Sequence, residues 1–336
     1  MLSVICPIYN EERYIGNCIE SILKQDYPKA DLEIIFVDGM SRDRTREIVA
    51  EYAGRYPFIH LSDNPHKIVP YAMNIGILAS KGDIIIRLDA HVIYPENYFS
   101  ELVAKLIEYG ADNVGCPCNT LPTNDSVVAI AIAGTLSSPF GVGNSMFRIG
   151  VKEDMETDTV PFGCFKREIF DKVGLYDLDL VRNQDDELNA RIINHGGKIV
   201  LLSNPTVKYY ARDSFGKLYK MYYQYGLYKP LVNKKLGNPA TLRQLVPPLF
   251  VTGLILGFLP GFLYPPMLLF YAGVIAIYLT TGIYIGVKSA VKYHRLSLVF
   301  LMPIAFFIIH WGYGWGYIKG LFNLMFNRPF NAEVNR

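Results

Sequence analysis

The chain has 336 residues, of which 51% are hydrophobic and 19% are charged, and its formal net charge is +2. A charge this close to neutral excludes a strongly basic nucleic-acid-binding protein, and we expect no nucleic-acid partner. The long runs without any charged residue lie in the last third of the sequence, which indicates a globular domain followed by a membrane region.

The first 90 residues alternate apolar strands with helical segments. The predicted strands are LSVICPIYN, LEIIFVDG, FIHLSDN and DIIIRLDAH, and the helices between them are EERYIGNCIESILKQ, SRDRTREIVAEYA and VPYAMNIGILAS. Ser41 is the predicted N-cap of the second helix. This alternation predicts an α/β fold whose mostly parallel sheet is covered by helices on both faces. Ligands bind beyond the carboxyl ends of the strands in such sheets.

Polar side chains follow three of these strands. They are Tyr9, Asn10 and Glu11 after the first strand, Asp38 after the second, and Asp89 and His91 after the fourth. A carboxylate and an imidazole two residues apart predict a divalent-metal site, and the imidazole favours Mn2+ over Mg2+. The alternative is that His91 only caps the end of the strand.

Two later segments also bear on function. RNQDDELNARI places Asp185, Asp186 and Glu187 at the start of a predicted helix, where acidic residues ordinarily interact with the helix dipole. SSPFGVGNSMFRIG carries few helix or strand signals, so either a mobile loop over a ligand or a plain surface connection is expected there.

The C-terminal third predicts membrane association. Residues 244–287 and 296–318 contain no charged side chain, and breakers near Pro260 and Pro265 divide the first run into two spans, about 245–263 and 264–287. The third segment, about 296–318, is predicted either to span or to lie at the interface, because its second half is rich in glycine and aromatics. SFGKLYKMYYQYGLYKPLVNKK predicts an interfacial amphipathic helix.

Basic residues set the expected topology. Lys288, Lys292, His294 and Arg295 form a predicted loop between the second and third segments, and the positive-inside tendency makes this loop cytoplasmic. Two crossings before it place the N-terminal domain on the same side. No signal peptide is expected, since the chain begins directly on a strand, and the five cysteines are expected to be reduced thiols.

These patterns divide the chain into four predicted regions. They are a cytosolic catalytic domain at 1–215, an interfacial segment at 216–243, a membrane region with two or three spans at 244–325, and a polar tail at 326–336.

Four motifs resemble the family 2 glycosyltransferases of the GT-A fold. In order they are CPIYNEERYI, VDGMSRDRT, NPHKIVPYAMNIGILASKGDIIIRLDAH and FGCFKREIFDKVGLYDLDLVRNQDDELNARIINHGGKI. The match covers about residues 1–235. The combination of these motifs with a C-terminal membrane region is similar to the succinoglycan-type exopolysaccharide glucosyltransferases. Asp-Ala-His stands where the family has Asp-x-Asp, and Gln184 precedes Asp185 where glutamate is more common. The Gln-x-x-Arg-Trp motif of processive synthases is missing, which favours addition of one sugar at a time.

The resemblance implies a role for each matching residue. It assigns donor binding to Pro7, Tyr9, Glu11, Asp38, Lys67, Asn74 and Asp89, metal binding to Asp89 and His91, the catalytic base to Asp185, and the acceptor side to Asp186, Glu187 and Arg182. It also implies an inverting hexosyltransferase that uses Mn2+ or Mg2+ and takes a nucleotide sugar, with a UDP-sugar favoured. The expected acceptor is a lipid-linked saccharide or polysaccharide at the membrane lipid surface. The expected setting is exopolysaccharide or capsule biosynthesis at a bacterial-type inner membrane, with a multi-pass chain and a cytoplasmic catalytic domain.

Other functions stay open at this point. A non-catalytic nucleotide-sugar-binding membrane protein would explain the altered metal motif, and a processive polysaccharide synthase would explain the spans. A sugar nucleotidyltransferase is disfavoured, because the chain lacks the glycine-rich N-terminal loop of that family.

Overall fold

The computed structural model describes residues 1–237 and 241–330. The chain forms two units: one contains Met1–Asn119 and Ile149–Tyr209, and the other contains Thr120–Arg148 and the described residues from Tyr210 onward. Residues 238–240 of the predicted interfacial segment and 331–336 of the predicted polar tail lie outside the described residues.

The strands are short except for the first two. They are β1 (Leu2–Ile8), β2 (Leu32–Asp38), β3 (Ile59–Asp63), β4 (Ile84–Arg87), β5 (Val92–Ile93), β6 (Asn113–Gly115), β7 (Cys118–Leu121), β8 (Met155–Glu156), β9 (Cys164–Lys166), β10 (Ile199–Leu201) and β11 (Val207–Tyr210).

The main sheet of the first unit has the strand order β3-β2-β1-β4-β9-β6-β10-β8. Strands β3, β2, β1 and β4 are parallel, whereas β9 runs antiparallel between β4 and β6. Every residue of β1 and β2 is buried, because apolar side chains on both faces are covered. The predicted mostly parallel α/β fold, followed by apolar C-terminal helices, is confirmed.

The helices alternate with these strands and then dominate the C-terminal part. They are α1 (Ile15–Leu23), α2 (Thr45–Arg55), α3 (Val69–Ala79), α4 (Tyr98–Glu108), α5 (Val127–Leu136), α6 (Pro139–Val142), α7 (Met146–Ile149), α8 (Glu168–Val173), α9 (Gln184–Asn194), α10 (Phe215–Leu236), α11 (Val246–Leu256), α12 (Pro266–Tyr293) and α13 (Leu298–Met325).

The predicted N-cap of α2 is wrong. The helix begins at Thr45, and the Ser41 hydroxyl instead donates to Asp38 Oδ1 at 2.5 Å. Asp43 Oδ1 accepts the backbone N–H of Thr45 at 3.0 Å, which forms a local turn that delays the helix. Ser41 therefore belongs to the loop after β2 and holds the carboxylate that ends that strand.

The segment SSPFGVGNSMFRIG is not one loop, because it contains the short helices α6 and α7. The preceding helix α5 is uncharged, and its residues join α10 and α13 in the core of the second unit. Phe140 of α6 stacks edge-on against Phe306 of α13, with ring centroids 4.9 Å apart. Helix α5 was not predicted, and the segment after it was expected to be a loop or a surface connection because it carries few helix or strand signals.

Helix α10 packs along α13 through glycine. A side chain on Gly316 or Gly320 would overlap the backbone of Tyr223 or Leu227, and one on Gly226 would overlap the backbone of α13. Lipid provides no hydrophobic driving force between helices, so helices in a membrane associate through close packing. Small residues let their backbones approach closely enough for this. The glycines of HWGYGWGYIKG therefore serve helix packing within the second unit.

Within the described residues, three helical stretches are long and apolar enough to cross a membrane: Leu242–Phe262, Pro266–Tyr293 and Leu298–Met325. The predicted basic loop is partly wrong, since Lys288 and Lys292 lie on the last turns of α12 and only 294–297 connect it to α13. Charge ends an apolar stretch but does not end a helix, because lysine is a good helix former. The four predicted region boundaries, the number of crossings and the orientation stay predictions.

Candidate active site at the carboxyl ends of the parallel strands

The ends of β1, β2 and β4 lie side by side in the sheet. Ile8 at the end of β1 pairs in register with Asp38 at the end of β2, and Ile5 pairs with Arg87 at the end of β4. The loops that follow adopt left-handed backbone conformations at Asn10, with φ 55°, and at Met40, with φ 62°. Such conformations cluster at functional sites, where surrounding structure must hold them.

Three loops meet at Gly39. A Cβ at this position would lie 3.2 Å from the Tyr9 ring and 3.4 Å from the Cα of Lys67, which has φ 65°. The glycine therefore brings two of the predicted donor-binding residues together. Pro7 is buried inside β1, one residue before its end, so it shapes the strand beneath this loop.

Asp38 is fully buried and accepts several hydrogen bonds. Its carboxylate accepts from the backbone and hydroxyl of Ser41 and from Arg46 Nη1 at 2.7 Å. The same Arg46 nitrogen lies 2.7 Å from Asp63 at the end of β3. These donors offset the cost of burying the charge and fix the orientation of the carboxylate.

Glu11 and His91 face each other from two different strand ends. Glu11 is 4% exposed, and its Oε1 lies 3.6 Å from His91 Nδ1. The Glu11 backbone N–H donates to Thr45 Oγ1 at 2.7 Å, which ties this loop to α2. A histidine that ligates a metal commonly directs its other ring nitrogen to a carboxylate, so this pairing suits His91 as a ligand through Nε2.

The Asp89 backbone is held by the hydroxyl of Tyr94. This hydroxyl accepts from the Asp89 N–H at 2.9 Å and lies 3.1 Å from the Asp89 carbonyl, to which it donates. The Asp89 carboxylate Oδ1 accepts from Arg87 Nη2 at 3.1 Å. The residue thus keeps a fixed backbone, with its side chain directed beyond the strand.

The donor set fits a cation that arrives with phosphate. Among the described residues no group of three or more histidine, cysteine, aspartate or glutamate side chains is placed to hold a metal ion by itself. Mg2+ and related ions are usually bound through one or two protein ligands plus substrate phosphates, not by a complete protein cage. Asp89 and His91 would supply the protein ligands in such an arrangement.

Asp185 lies in the first turn of helix α9 and pairs with Arg87 Nη1 through its Oδ1. The preceding Asn183 has φ 61°, which turns the chain into the helix. Burial raises the pKa of the Asp185 carboxyl, and the Arg87 guanidinium opposes this rise. The Asp185 side chain is still 35% exposed, so a second reactant can reach it.

The other acidic residues of α9 have different surroundings. Asp186 Oδ1 accepts from the Thr159 hydroxyl at 3.4 Å, whereas Glu187 is 3% exposed and accepts from Arg191 at 2.6 and 2.8 Å. Arg191 also donates to the backbone carbonyl of Leu175 at 2.8 Å. The Glu187–Arg191 pair therefore anchors α9 to the segment before it, and Arg182 lies in the bend that precedes the helix.

The Asn74 amide is occupied by backbone. Its Nδ2 donates to the Tyr176 carbonyl and its Oδ1 accepts from the Tyr176 N–H, both at 2.9 Å. This two-way contact favours a positioning role for Asn74 over direct donor binding.

Sequence reasoning missed Arg87, Tyr94 and Tyr176. The signal for Arg87 was present, because an arginine directly after three isoleucines in a buried strand needs carboxylate partners. Tyr176 is buried beside Arg87 and Asp185, although it is distant from Arg87 in the sequence. Only the fold brings these side chains together.

Comparison with known proteins identifies the family. Residues 3–172 match "Glycosyl transferase family 2". Dolichyl N-acetyl-alpha-D-glucosaminyl phosphate 3-beta-D-2,3-diacetamido-2,3-dideoxy-beta-D-glucuronosyltransferase of Methanococcus voltae is 32% identical over 243 residues, covering 70% of this chain and 74% of that protein. Succinoglycan biosynthesis protein ExoA of Rhizobium meliloti (strain 1021) is 30% identical over 246 residues, covering 73% of each chain.

The fold is shared with a solved glycosyltransferase. Mannosyltransferase PcManGT from Pyrobaculum calidifontis, in complex with GDP-Man and Mn2+, superposes with a TM-score of 0.60 at 18% sequence identity. The match covers 96% of this chain and 87% of that one. The sheet is therefore that of a GT-A-like fold, and by the family match and the two relatives above the chain belongs to glycosyltransferase family 2.

Proposed function

We propose that this chain is a membrane-associated, inverting glycosyltransferase that moves one sugar from a nucleotide sugar to a lipid-linked saccharide acceptor. The observation that carries the proposal is the bridge made by Arg87, which contacts both Asp89 and Asp185. One carboxylate follows a parallel strand and the other lies in the first turn of a helix. A donor-side group and an acceptor-side group thus lie within reach of one guanidinium.

In the proposed reaction Asp185 removes the proton from the acceptor hydroxyl as that oxygen attacks the anomeric carbon. The bond to the diphosphate breaks on the opposite side, so a single displacement inverts the anomeric centre. The raised pKa of Asp185 makes its carboxylate a stronger base than an exposed aspartate. Asp186 and Arg182 lie at the same helix start and would orient the acceptor, whereas Glu187 would hold the helix.

The donor would lie over the ends of β1, β2 and β4. Tyr9, Glu11 and Asp38 would line the nucleoside pocket, and Lys67 would meet the diphosphate. A bound Mn2+ or Mg2+ would neutralise charge on the leaving diphosphate, and Asp89 and His91 would hold it. The Mn2+ complex of the structural neighbour supports the use of a divalent metal.

The acceptor and the location follow from the relatives and the apolar helices. One relative is named for an acceptor linked to dolichyl phosphate, and the other for succinoglycan biosynthesis. We infer a lipid-linked acceptor in exopolysaccharide or capsule assembly at a bacterial-type inner membrane. The catalytic region, 1–215, would be cytoplasmic, and 244–325 would cross the membrane more than once.

Nucleotide release from a panel of UDP- and GDP-sugars tests the proposal. Purified protein with Mn2+ and a polyprenyl-phosphate-linked saccharide should release UDP from one sugar nucleotide, and EDTA should stop the release. The structural neighbour was solved with GDP-Man, so the comparison of GDP-sugars with UDP-sugars in the panel decides which nucleobase the donor carries. Binding of a nucleotide sugar without release under any condition would favour the non-catalytic alternative.

A further inference from the structure

Arg87 is a buried cation with two carboxylate partners. Its side chain is 8% exposed, and Nη1 contacts Asp185 while Nη2 lies 3.1 Å from Asp89. Burying an arginine is costly unless its charge is paired, and the two terminal nitrogens carry that pairing here, since the buried Nε has no hydrogen-bond partner among the described residues. Here each of the two terminal nitrogens serves a different carboxylate.

This arrangement needs the shape of arginine as well as its charge. A guanidinium is planar and holds its donors at fixed directions, so it keeps two carboxylates at a set separation. Lysine carries one ammonium on a flexible stem and would not fix two partners in the same way. The geometry therefore points to an orienting role that a simple charge would not supply.

The bridge connects two parts of the chain that are 98 residues apart in the sequence. Arg87 ends β4, where its backbone N–H donates to the Gly163 carbonyl at 3.0 Å, and Asp185 stands in the first turn of α9. Tyr176 is buried at the same place, fixed through its backbone by Asn74. The Tyr176 hydroxyl also lies beside the Arg87 guanidinium, which opposes the rise that burial causes in the pKa of this hydroxyl. Arg87 is thus the side chain that ties Asp185 to the sheet.

We propose that Arg87 is a positioning residue that holds the Asp185 carboxylate in line with the donor end of the sheet. The inference rests on the proposed function, in which Asp185 is the base. It assigns to Arg87 an effect on the chemical step that is exerted through Asp185, and the bond to Asp89 predicts a smaller effect on donor binding.

A double-mutant cycle on kcat tests this role. Asp185→Asn should lower kcat by a factor of about 100 or more, the scale of general-base loss. Arg87→Met should lower kcat by about 100-fold, because misplacement of a catalytic group by about 1 Å has that effect. When both changes are combined, kcat should stay within about threefold of Asp185→Asn alone, since residues that act as a unit are non-additive. Arg87→Lys should recover part of the loss.

Two further readouts separate positioning from a purely structural effect. The dissociation constant for UDP with Mn2+, measured by calorimetry on Arg87→Met, should stay within about threefold of the wild-type value. Arg167→Lys is the matched control, because among the described residues the Arg167 side chain donates to the carbonyls of Gly82 and Ile77 and to the Ser80 hydroxyl, none of which belongs to the proposed site. It should lower the unfolding temperature of the metal-free protein without lowering kcat.

The outcomes are distinguishable. If Asp185→Asn turns over normally, the proposed base is wrong and the inference falls with it. If Asp185→Asn is impaired but the losses in the double variant multiply, only the positioning role of Arg87 is overturned. An unchanged kcat in Arg87→Met overturns it as well. Should Arg87→Met fail to fold, the same cycle with Arg87→Lys decides.

Discussion

Replacing Asp185 with asparagine removes the proposed base while keeping the shape of the side chain. The asparagine carbonyl can still accept from Arg87, and Arg87 keeps its second partner Asp89. The Asp185 side chain is about one-third exposed, so we expect a stability loss of only about 1 kcal/mol. Turnover should fall by about 100-fold or more, which corresponds to a barrier increase of about 2.7 kcal/mol.

The pH dependence of the wild-type enzyme should carry the signature of the same group. Burial raises the pKa of Asp185, the Arg87 guanidinium opposes the rise, and the carboxylates of Asp89 and Asp186 add to it. The base acts as a carboxylate, so activity is lost as pH falls through this raised pKa. The acid limb of the kcat profile should therefore lie above about 3.9, the ordinary value for aspartate, and Asp185→Asn should lack it.

The assay is single-turnover transfer with saturating donor, followed by nucleotide release and by product formation. Asp186→Asn is the control, because Asp186 makes a long contact of 3.4 Å with Thr159 and should lose less activity. Wild-type turnover by Asp185→Asn, together with a large loss in Asp186→Asn, would refute the assignment and move the base by one residue.

Three further predictions concern the metal, the helix packing and the topology. His91→Ala should abolish Mn2+-dependent transfer. His91→Asp should retain part of the activity, with the metal preference shifted toward Mg2+, because carboxylate is the harder ligand. Full Mn2+-dependent activity in His91→Ala would exclude the ligand role of His91. Gly316→Leu should separate α10 from α13 and lower the free energy of unfolding by about 1–3 kcal/mol. Gly216 has open space around it, so Gly216→Ala should leave the stability unchanged or slightly higher. Equal effects of the two changes on thermal unfolding would contradict the packing account. A cysteine in place of His294 should react with an impermeant thiol reagent only from the cytoplasmic side, and labelling from outside would contradict the predicted topology. The five native cysteines are all buried and should give little background labelling.

Much of the fold could be predicted because its signals are local. Strands β1 and β2 are continuous apolar runs that end on polar residues, and that pattern directly indicates buried parallel strands. The strand-end positions of Tyr9, Asp38 and Asp89 follow from the same pattern. These signals need no knowledge of which residues meet in space.

The parts that could not be predicted depend on contacts between distant segments. Nothing local shows that Arg87 lies between Asp89 and Asp185, or that Asn74 binds the backbone of Tyr176, since both contacts join residues about 100 positions apart. Helix α5 was missed for another reason. Its apolar side chains occur all round the helix, so it has no amphipathic period, and only the core it forms with α13 explains them.

The anomeric configuration of the product tests the central claim most directly. Transfer from an α-linked UDP-sugar to a polyprenyl-phosphate-linked saccharide should give a β-linked product, read from the proton coupling constant of the new anomeric centre by NMR. The product should form with Mn2+ and the wild-type chain, and should be lost with Asp185→Asn. An α-linked product would contradict a single displacement with Asp185 as base, and the absence of any transferred sugar across the donor panel would contradict the transferase itself.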